Sequence, residues 1–263
     1  MNTQSKLTIL GTCSGTEPMP GRHHTSFTLL HDQRLYWFDA GESCSYTAHL
    51  SGIDMPATEA IFISHTHMDH IGGLPNLLWT LRKLATVSED AKRRLANREI
   101  RLLIPDMDVF EGLMAVMRGT EGGFQPVFDL VPALVTDGII YEQHGLRVQA
   151  RHNFHLGPSA PFKSYSFRIE AGPKTIVYSG DVKSIQDIDG LIDGADLLLM
   201  ETGHHKVDQV CQYLKDSDES FDKLVFLHHG RAILADPARE LATAQSILGD
   251  KVQIADDGME LHL

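Results

Sequence analysis

The chain predicts an α/β fold of four layers, helices outside and two sheets inside (αββα), on three observations. Units of strand, ligand-bearing loop and helix recur in both halves, so each half reads as a βα layer pair able to face the other. No Gly/Pro-rich linker separates the halves, which predicts one domain over residues 1–263. The 263 residues are 42% hydrophobic, enough to bury a large core.

Residues 6–10 and 26–30 read as strands joined by the Gly/Pro-rich loop 11–25, and 34–38 as a third that ends in Asp39-Ala40-Gly41-Glu42. The apolar run Ala60, Ile61, Phe62, Ile63 then leads into His65, His67, Asp69 and His70, followed by Gly72, Gly73 and Pro75. That order reads as strand, tight loop, helix. In extended backbone, residues two apart share a side, so His65 and His67 present their imidazoles together. Asp69 and His70 face the same pocket as the chain turns. Three imidazoles and one carboxylate so closely spaced suit a borderline-soft divalent ion, even in a chain with 15 histidines.

Leu74, Leu77, Leu78, Leu81, Leu84 and Ala85 follow helical spacing and predict an amphipathic helix. Its continuation carries Lys92, Arg93, Arg94, Arg98 and Arg101, which read more readily as a solvated basic end than as a substrate-facing patch. A strand at 101–105 is stopped by Pro105. A helix over 106–118 puts Val109, Leu113, Met114 and Met117 on one face. The loop 119–132, with Gly119, Gly122, Gly123 and Pro126, is the expected mobile flap near the site.

The second half begins with a strand at 146–151 and a polar loop containing His152 and His155. Strands at 164–169 and from 175 onward follow, the latter closing in Ser179-Gly180-Asp181. The strand 195–200 ends at Glu201, ahead of His204 and His205 and a helix carrying Val207, Val210, Cys211 and Leu214. The strand 223–227 delivers His228, His229 and Arg231. Asp236 is placed to N-cap a helix with Pro237 at its first position, running to about residue 248, and 252–255 is the last strand expected.

The net charge is −12, from 35 acidic and 23 basic residues. A protein that grips long nucleic acid carries a basic face, so duplex binding is not expected, and a phosphate substrate should be small or locally held. Cys13, Cys44 and Cys211 are too few and too scattered for a disulfide framework or a zinc ribbon. No apolar run approaches the roughly 20 residues that span a bilayer, and residues 1–6 lack the apolar core of a secretion signal. A cytoplasmic protein is expected.

The pattern His65-x-His67-x-Asp69-His70 resembles the signature of the metallo-β-lactamase superfamily. The opening Gly11, Thr12, Ser14, Gly15, Thr16, with Pro18, Pro20, Arg22 and Ser26 after it, is similar to the ribonuclease Z-like branch of phosphodiesterases. That resemblance implies two divalent ions, zinc first and iron, manganese or nickel as alternatives. His65, His67 and His155 would hold one, and Asp69, His70 and His228 the other, with Asp181 shared. His152 and His229 stand next in line should His155 or His228 fail. Asp39 and Gly41, ordinary turn formers by type, would lie beneath the ions and position their ligands. Asp69 and His204 are the expected catalytic residues, His204 as proton donor with His205 left open. The branch carries His where Met200 stands here. Arg231 and His229 are candidates to grip an anionic group, whereas His23 and His24 fit a pocket rim and an exposed loop equally well.

The function so implied is hydrolysis by a metal-bridging hydroxide, most directly of a phosphodiester in a small or short substrate. Thioester, lactone or amide hydrolysis, as in glyoxalase II-like enzymes and lactonases, keeps the ions and changes the bond. A non-catalytic or biosynthetic accessory role is the third class, disfavoured by the intact ligand set. The Gly/Pro-rich arm that ribonuclease Z uses to bind tRNA has no counterpart here. Neither a membrane nor duplex nucleic acid is an expected partner, and a homodimer is left open.

Overall fold

The computed structural model describes residues 5–15, 19–120 and 122–263. Thr16 and Pro18 of the opening motif, and residues 1–4, lie outside them. β1 (Lys6–Gly11), β2 (Ser26–His31) and β3 (Arg34–Phe38) form an antiparallel meander. Helix α1 (Cys44–Leu50) leads to β4 (Thr58–Phe62), parallel to β3. Three helices follow, α2 (Met68–Ile71), α3 (Leu74–Val87) and α4 (Glu89–Leu95). Then come β5 (Glu99–Ile104), α5 (Met107–Arg118) and β6 (Asp129–Leu134), both strands parallel to β4.

The second half mirrors this plan in reverse order across its sheet. β7 (Gly138–Gln143), β8 (Leu146–His152), β9 (Tyr165–Ala171) and β10 (Lys174–Tyr178) are antiparallel neighbours. β11 (Ala195–Glu201), α6 (Val207–Asp216), β12 (Phe221–Leu227), α7 (Arg231–Ala235), α8 (Pro237–Leu248) and β13 (Val252–Ile254) add parallel strands to β10. β14 (Glu260–His262) then crosses back to pair antiparallel with β1. Among the described residues the two sheets run β14-β1-β2-β3-β4-β5-β6 and β13-β12-β11-β10-β9-β8-β7.

Alternation along each strand divides the apolar residues between an inner and an outer face. In β11, Leu197 and Leu199 point between the sheets, and Leu198 and Met200 pack under the outer helices of the second half. Both faces are buried, which is why this strand reads as a continuous apolar run. Between the sheets, Phe27, Phe38 and Phe62 stack with centroids 4.9 and 4.8 Å apart, and Tyr178 of the other sheet meets Phe27 edge-on at 5.1 Å. Outside the first sheet, Leu74, Leu77, Leu78 and Leu81 of α3 pack with Phe110 and Met114 of α5. The result is the expected αββα stack, the metallo-β-lactamase sandwich.

Four expectations need correction. The basic continuation of α3 is a separate helix, because Ser88 turns extended and its side chain caps α4 by accepting from Ala91 N–H. Its cations are paired locally, Arg93 with Asp90, Arg94 with Asp54 and Arg98 with Glu59. The expected flap is no flap at the site: Phe124 packs on Trp79 and Phe128 is buried in the outer core, and residues from 129 onward form β6. The second half begins at β7, eight residues before 146, and 252–254 is followed by β14.

Ligands in such sheets gather beyond the carboxyl ends of the parallel strands. Here β3 delivers Asp39, β4 the His65–His70 segment, β10 Asp181, β11 Glu201 and β12 His228, all to one end of the sandwich.

Candidate metal centre

Asp181 is the hub of the site. It is 2% exposed, and its two oxygens face different groups of histidines. Oδ1 lies 3.3 Å from Nε2 of His70 and 3.3 Å from Nε2 of His228. Oδ2 lies 3.6 Å from Nε2 of His65 and 3.7 Å from Nε2 of His155. Asp69 joins the first group, its Oδ2 standing 3.2 Å from His228 Nε2 and 3.7 Å from His70 Nε2. His67 joins the second, its Nδ1 3.3 Å from His155 Nε2. All seven side chains singled out from sequence therefore converge on two adjacent clusters, each with donor atoms within 4.8 Å of one another.

The substitutes named from sequence lie elsewhere. His152 Nδ1 meets Asp137 at 2.7 Å and its ring stacks on Phe162. The His229 ring donates from Nε2 to Ala255 O at 2.7 Å. His23 is paired with Asp257 and His24 approaches Glu42 at 3.6 Å.

Beneath the clusters Asp39, fully buried, takes four donors. Its Oδ1 accepts Ser64 N–H at 2.7 Å, and Oδ2 accepts Ser64 Oγ–H (2.8 Å), His70 Nδ1–H (2.7 Å) and the Tyr178 hydroxyl (2.7 Å). Burial and the Asp39 charge hold the Tyr178 hydroxyl far above its usual range, so it remains a donor. By accepting the hydrogen bond from Nδ1–H, Asp39 fixes the His70 tautomer that bares Nε2 to the site. Gly41 is required nearby, since a Cβ there would stand 2.5 Å from Asp69 O.

Sequence reasoning gave Glu201 no role, yet it is 1% exposed and organises the mouth of the site. It accepts from Val182 N–H (3.1 Å), His204 N–H (2.9 Å) and His204 Nδ1–H (3.0 Å). A carboxylate at the end of an apolar strand, three residues before a histidine, was the available signal. The hydrogen bond to Glu201 raises the His204 pKa against the effect of burial. His205 is turned to Val182 O at 3.1 Å, so of the pair only His204 lines the cleft.

That cleft measures about 580 Å³ and is lined by Ser14, Met19, His67, Asp181, His204 and Arg231 among others. Within the site, burial and the neighbouring imidazoles lower His65, and burial lowers His155 to about 4. Burial would also lower His228, but Asp181, Asp69 and Glu201 carry it up to about 9.

The donor set fits a metal. Buried polar atoms are normally hydrogen-bonded, yet Nε2 of His65, Nε2 of His70 and Oδ1 of Asp181 are buried without a hydrogen-bond partner; His70 Nε2 faces that Oδ1, and His65 Nε2 faces the other oxygen of the same carboxylate. Imidazole and carboxylate are what zinc and similar divalent ions take.

A family model described as anti-Pycsar protein Apyc1 matches residues 5–229. The chain belongs to that family. Ribonuclease Z of Treponema pallidum (strain Nichols) is 42% identical to this Apyc1-family chain over 85 residues, 32% of the chain and 27% of the relative. The match thus spans about a quarter of that relative's length. Among solved structures, the metallo-β-lactamase fold protein YhfI of Bacillus subtilis superposes with a TM-score of 0.73 at 17% identity, covering 99% of this chain and 100% of that one. The short form of human tRNase Z gives 0.70 at 19% identity, covering 97% and 98%. Among the described residues, no helix is long and apolar enough to cross a membrane.

Proposed function

We propose that this Apyc1-family chain is a two-ion, metal-dependent phosphodiesterase for a small or short substrate, acting as one hydrolase domain over residues 1–263. The division of Asp181 between two histidine clusters carries this reading. His65, His67 and His155 would hold one ion, and Asp69, His70 and His228 the other, with Asp181 between. When bound, such ions supply Lewis acidity and a water acidic enough to attack near neutral pH. Zinc suits the donors, and iron, manganese and nickel are accepted by similar sets. The curated relatives named ribonuclease Z support a phosphodiester as the bond broken.

The chain's own residues have distinct tasks. Asp69 is both ligand and, through Gly15 N–H at 2.6 Å, the anchor of the loop after β1. His204 stands at the cleft with Nδ1 engaged by Glu201, which leaves Nε2 to deliver a proton to the departing alkoxide. Glu201 favours the charged imidazole and so keeps that proton in place. The cleft of about 580 Å³ and the net charge of −12 both favour a compact substrate over a duplex.

The test is a panel of phosphodiesters, phosphomonoesters, thioesters and lactones on protein of measured metal content. Phosphodiesters should turn over fastest. For an alkyl diester His204→Ala should lower turnover by about 10²–10⁴-fold, and much less for an aryl diester whose phenolate leaves unaided. Faster cleavage of thioesters or lactones than of every diester would replace this reading with the thioester and lactone one.

A further inference from the structure

We infer that Asp257 is a positioning residue for the ion held by Asp69, His70 and His228, acting through the loop 11–15 and His229. This rests on the two-ion reading. Asp257 lies beyond the residues matched by the family model, in the turn that brings the chain back from β13 to β14.

Its side chain is 11% exposed, and both oxygens are used. Oδ1 accepts the Thr12 hydroxyl at 2.6 Å, and Oδ2 accepts His23 N–H at 2.6 Å and His23 Nδ1–H at 2.9 Å. Arg22 stitches the same junction, donating to Thr12 Oγ1 at 2.8 Å and to Asp256 at 2.9 Å. Asp257 thus holds Thr12, within the loop 11–15 that approaches the metal centre, and His23, which follows that loop in the chain.

What the loop holds is the second cluster. Thr12 O accepts His229 N–H at 2.6 Å, the Ser14 hydroxyl donates to His229 O at 2.7 Å, and Gly15 N–H donates to Asp69 at 2.6 Å. The His229 ring donates to Ala255 O, two residues from Asp257. His228 needs such restraint because its φ is 51°, a left-handed conformation that a non-glycine residue keeps only when its surroundings impose it. Fixing His229 on three sides fixes the peptide that aims the His228 ring. His65 and His155 lie on the other side of Asp181 and have their own supports, Ser64 and Asn153.

The experiment measures Zn²⁺ affinity by competition with a chromophoric chelator in two backgrounds. His67→Ala retains the Asp69, His70 and His228 position, and Asp69→Ala retains the other. Adding Asp257→Ala should weaken binding about 10–100-fold in the first background and less than twofold in the second. Lys6→Ala, which breaks the ion pair to Glu260 in the neighbouring strand, should change neither. Equal weakening in both backgrounds, or none in either, would overturn the inference. If circular dichroism shows that Asp257→Ala does not fold, Asp257→Asn, which keeps one acceptor oxygen, is read by the same criteria. Wild-type protein that binds fewer than two ions would instead remove the two-ion reading and the inference with it, a result distinct from two ions bound with no selective effect.

Discussion

Asp39 contributes no ligand atom to either cluster, yet it collects four hydrogen bonds from three residues, Ser64, His70 and Tyr178. An amide nitrogen in place of Oδ2 could accept none of the three that reach that oxygen, from Ser64 Oγ–H, His70 Nδ1–H and the Tyr178 hydroxyl. Asp39→Asn should therefore weaken the ion position that uses His70 by about 10–100-fold, measured by chelator competition; unchanged affinity would mean that the His70 tautomer is set elsewhere. Gly203 gives a second test at this scale. A Cβ there would lie 2.7 Å from His228 Nδ1 and 3.0 Å from Ser14 Cβ. Gly203→Ala should displace the His228 ring and cost one ion per chain, while far-ultraviolet circular dichroism stays native. Loss of neither ion would show that the loop relaxes around the methyl group. His65, His67, Asp69 and His70 were legible because their types and their place after an apolar strand narrow the chemistry, whereas His155, Asp181 and His228 were expected from the resemblance to the metallo-β-lactamase pattern. Tyr178 was not, since its bond to Asp39 joins residues 139 apart in sequence, and a tyrosine in a strand reads as core. For Glu201 only the bond from Val182, which follows β10, was hidden in this way; its bonds from His204 are local and were readable.

Among the elements, strands that carry a long apolar run announced themselves, whereas short or edge strands did not. β7 is half-exposed and interrupted in register between Ile139 and Tyr141, so no clean alternation marks it. β14 has three residues, Glu260-Leu261-His262, and exists because β1 pairs with it. The break between α3 and α4 was readable in principle, for Ser88 followed by Glu89 and Asp90 is an N-terminal signal. The start of α5 carries a pH-dependent prediction. Asp106 caps that helix by accepting from Asp108 and Val109 N–H, and Lys163 of the second half pairs with it at 2.5 Å. The Lys163 bond holds the Asp106 carboxyl below its usual value. A depressed carboxylate stabilises the folded state above the unfolded pKa of roughly 3.9 and loses that contribution as pH falls through the folded value. Asp106→Ala should therefore cost about 1 kcal/mol near neutral pH, with the gap to wild type narrowing below about pH 4. Urea denaturation of chelator-treated protein at both pH values checks this. A gap independent of pH would assign the cost to lost packing.

At the scale of the whole molecule, the two halves meet through the sheet–sheet core and again through the metal centre. Asp39, His65, His67, Asp69 and His70 come from the first sheet, and His155, Asp181, Glu201 and His228 from the second. Ions bound there join the halves, so chelation should lower the melting temperature as well as abolish turnover. An ion present at a thousandfold excess over its Kd contributes about 4 kcal/mol, and restoring it should return both properties. A melting temperature indifferent to chelator would argue against tight binding at either position.

The pairing of Lys6 with His262 sets a schedule for biosynthesis. β1 leaves the ribosome well before β14, since the other strands of both sheets lie between them in sequence. Until β14 is made, the β1 backbone keeps one side of hydrogen-bonding groups open beside Leu7 and Ile9, and such an unpaired edge is a template for unwanted strand addition. Nascent chains stalled before β14 should therefore self-associate, and chains extended through β14 should stay apart.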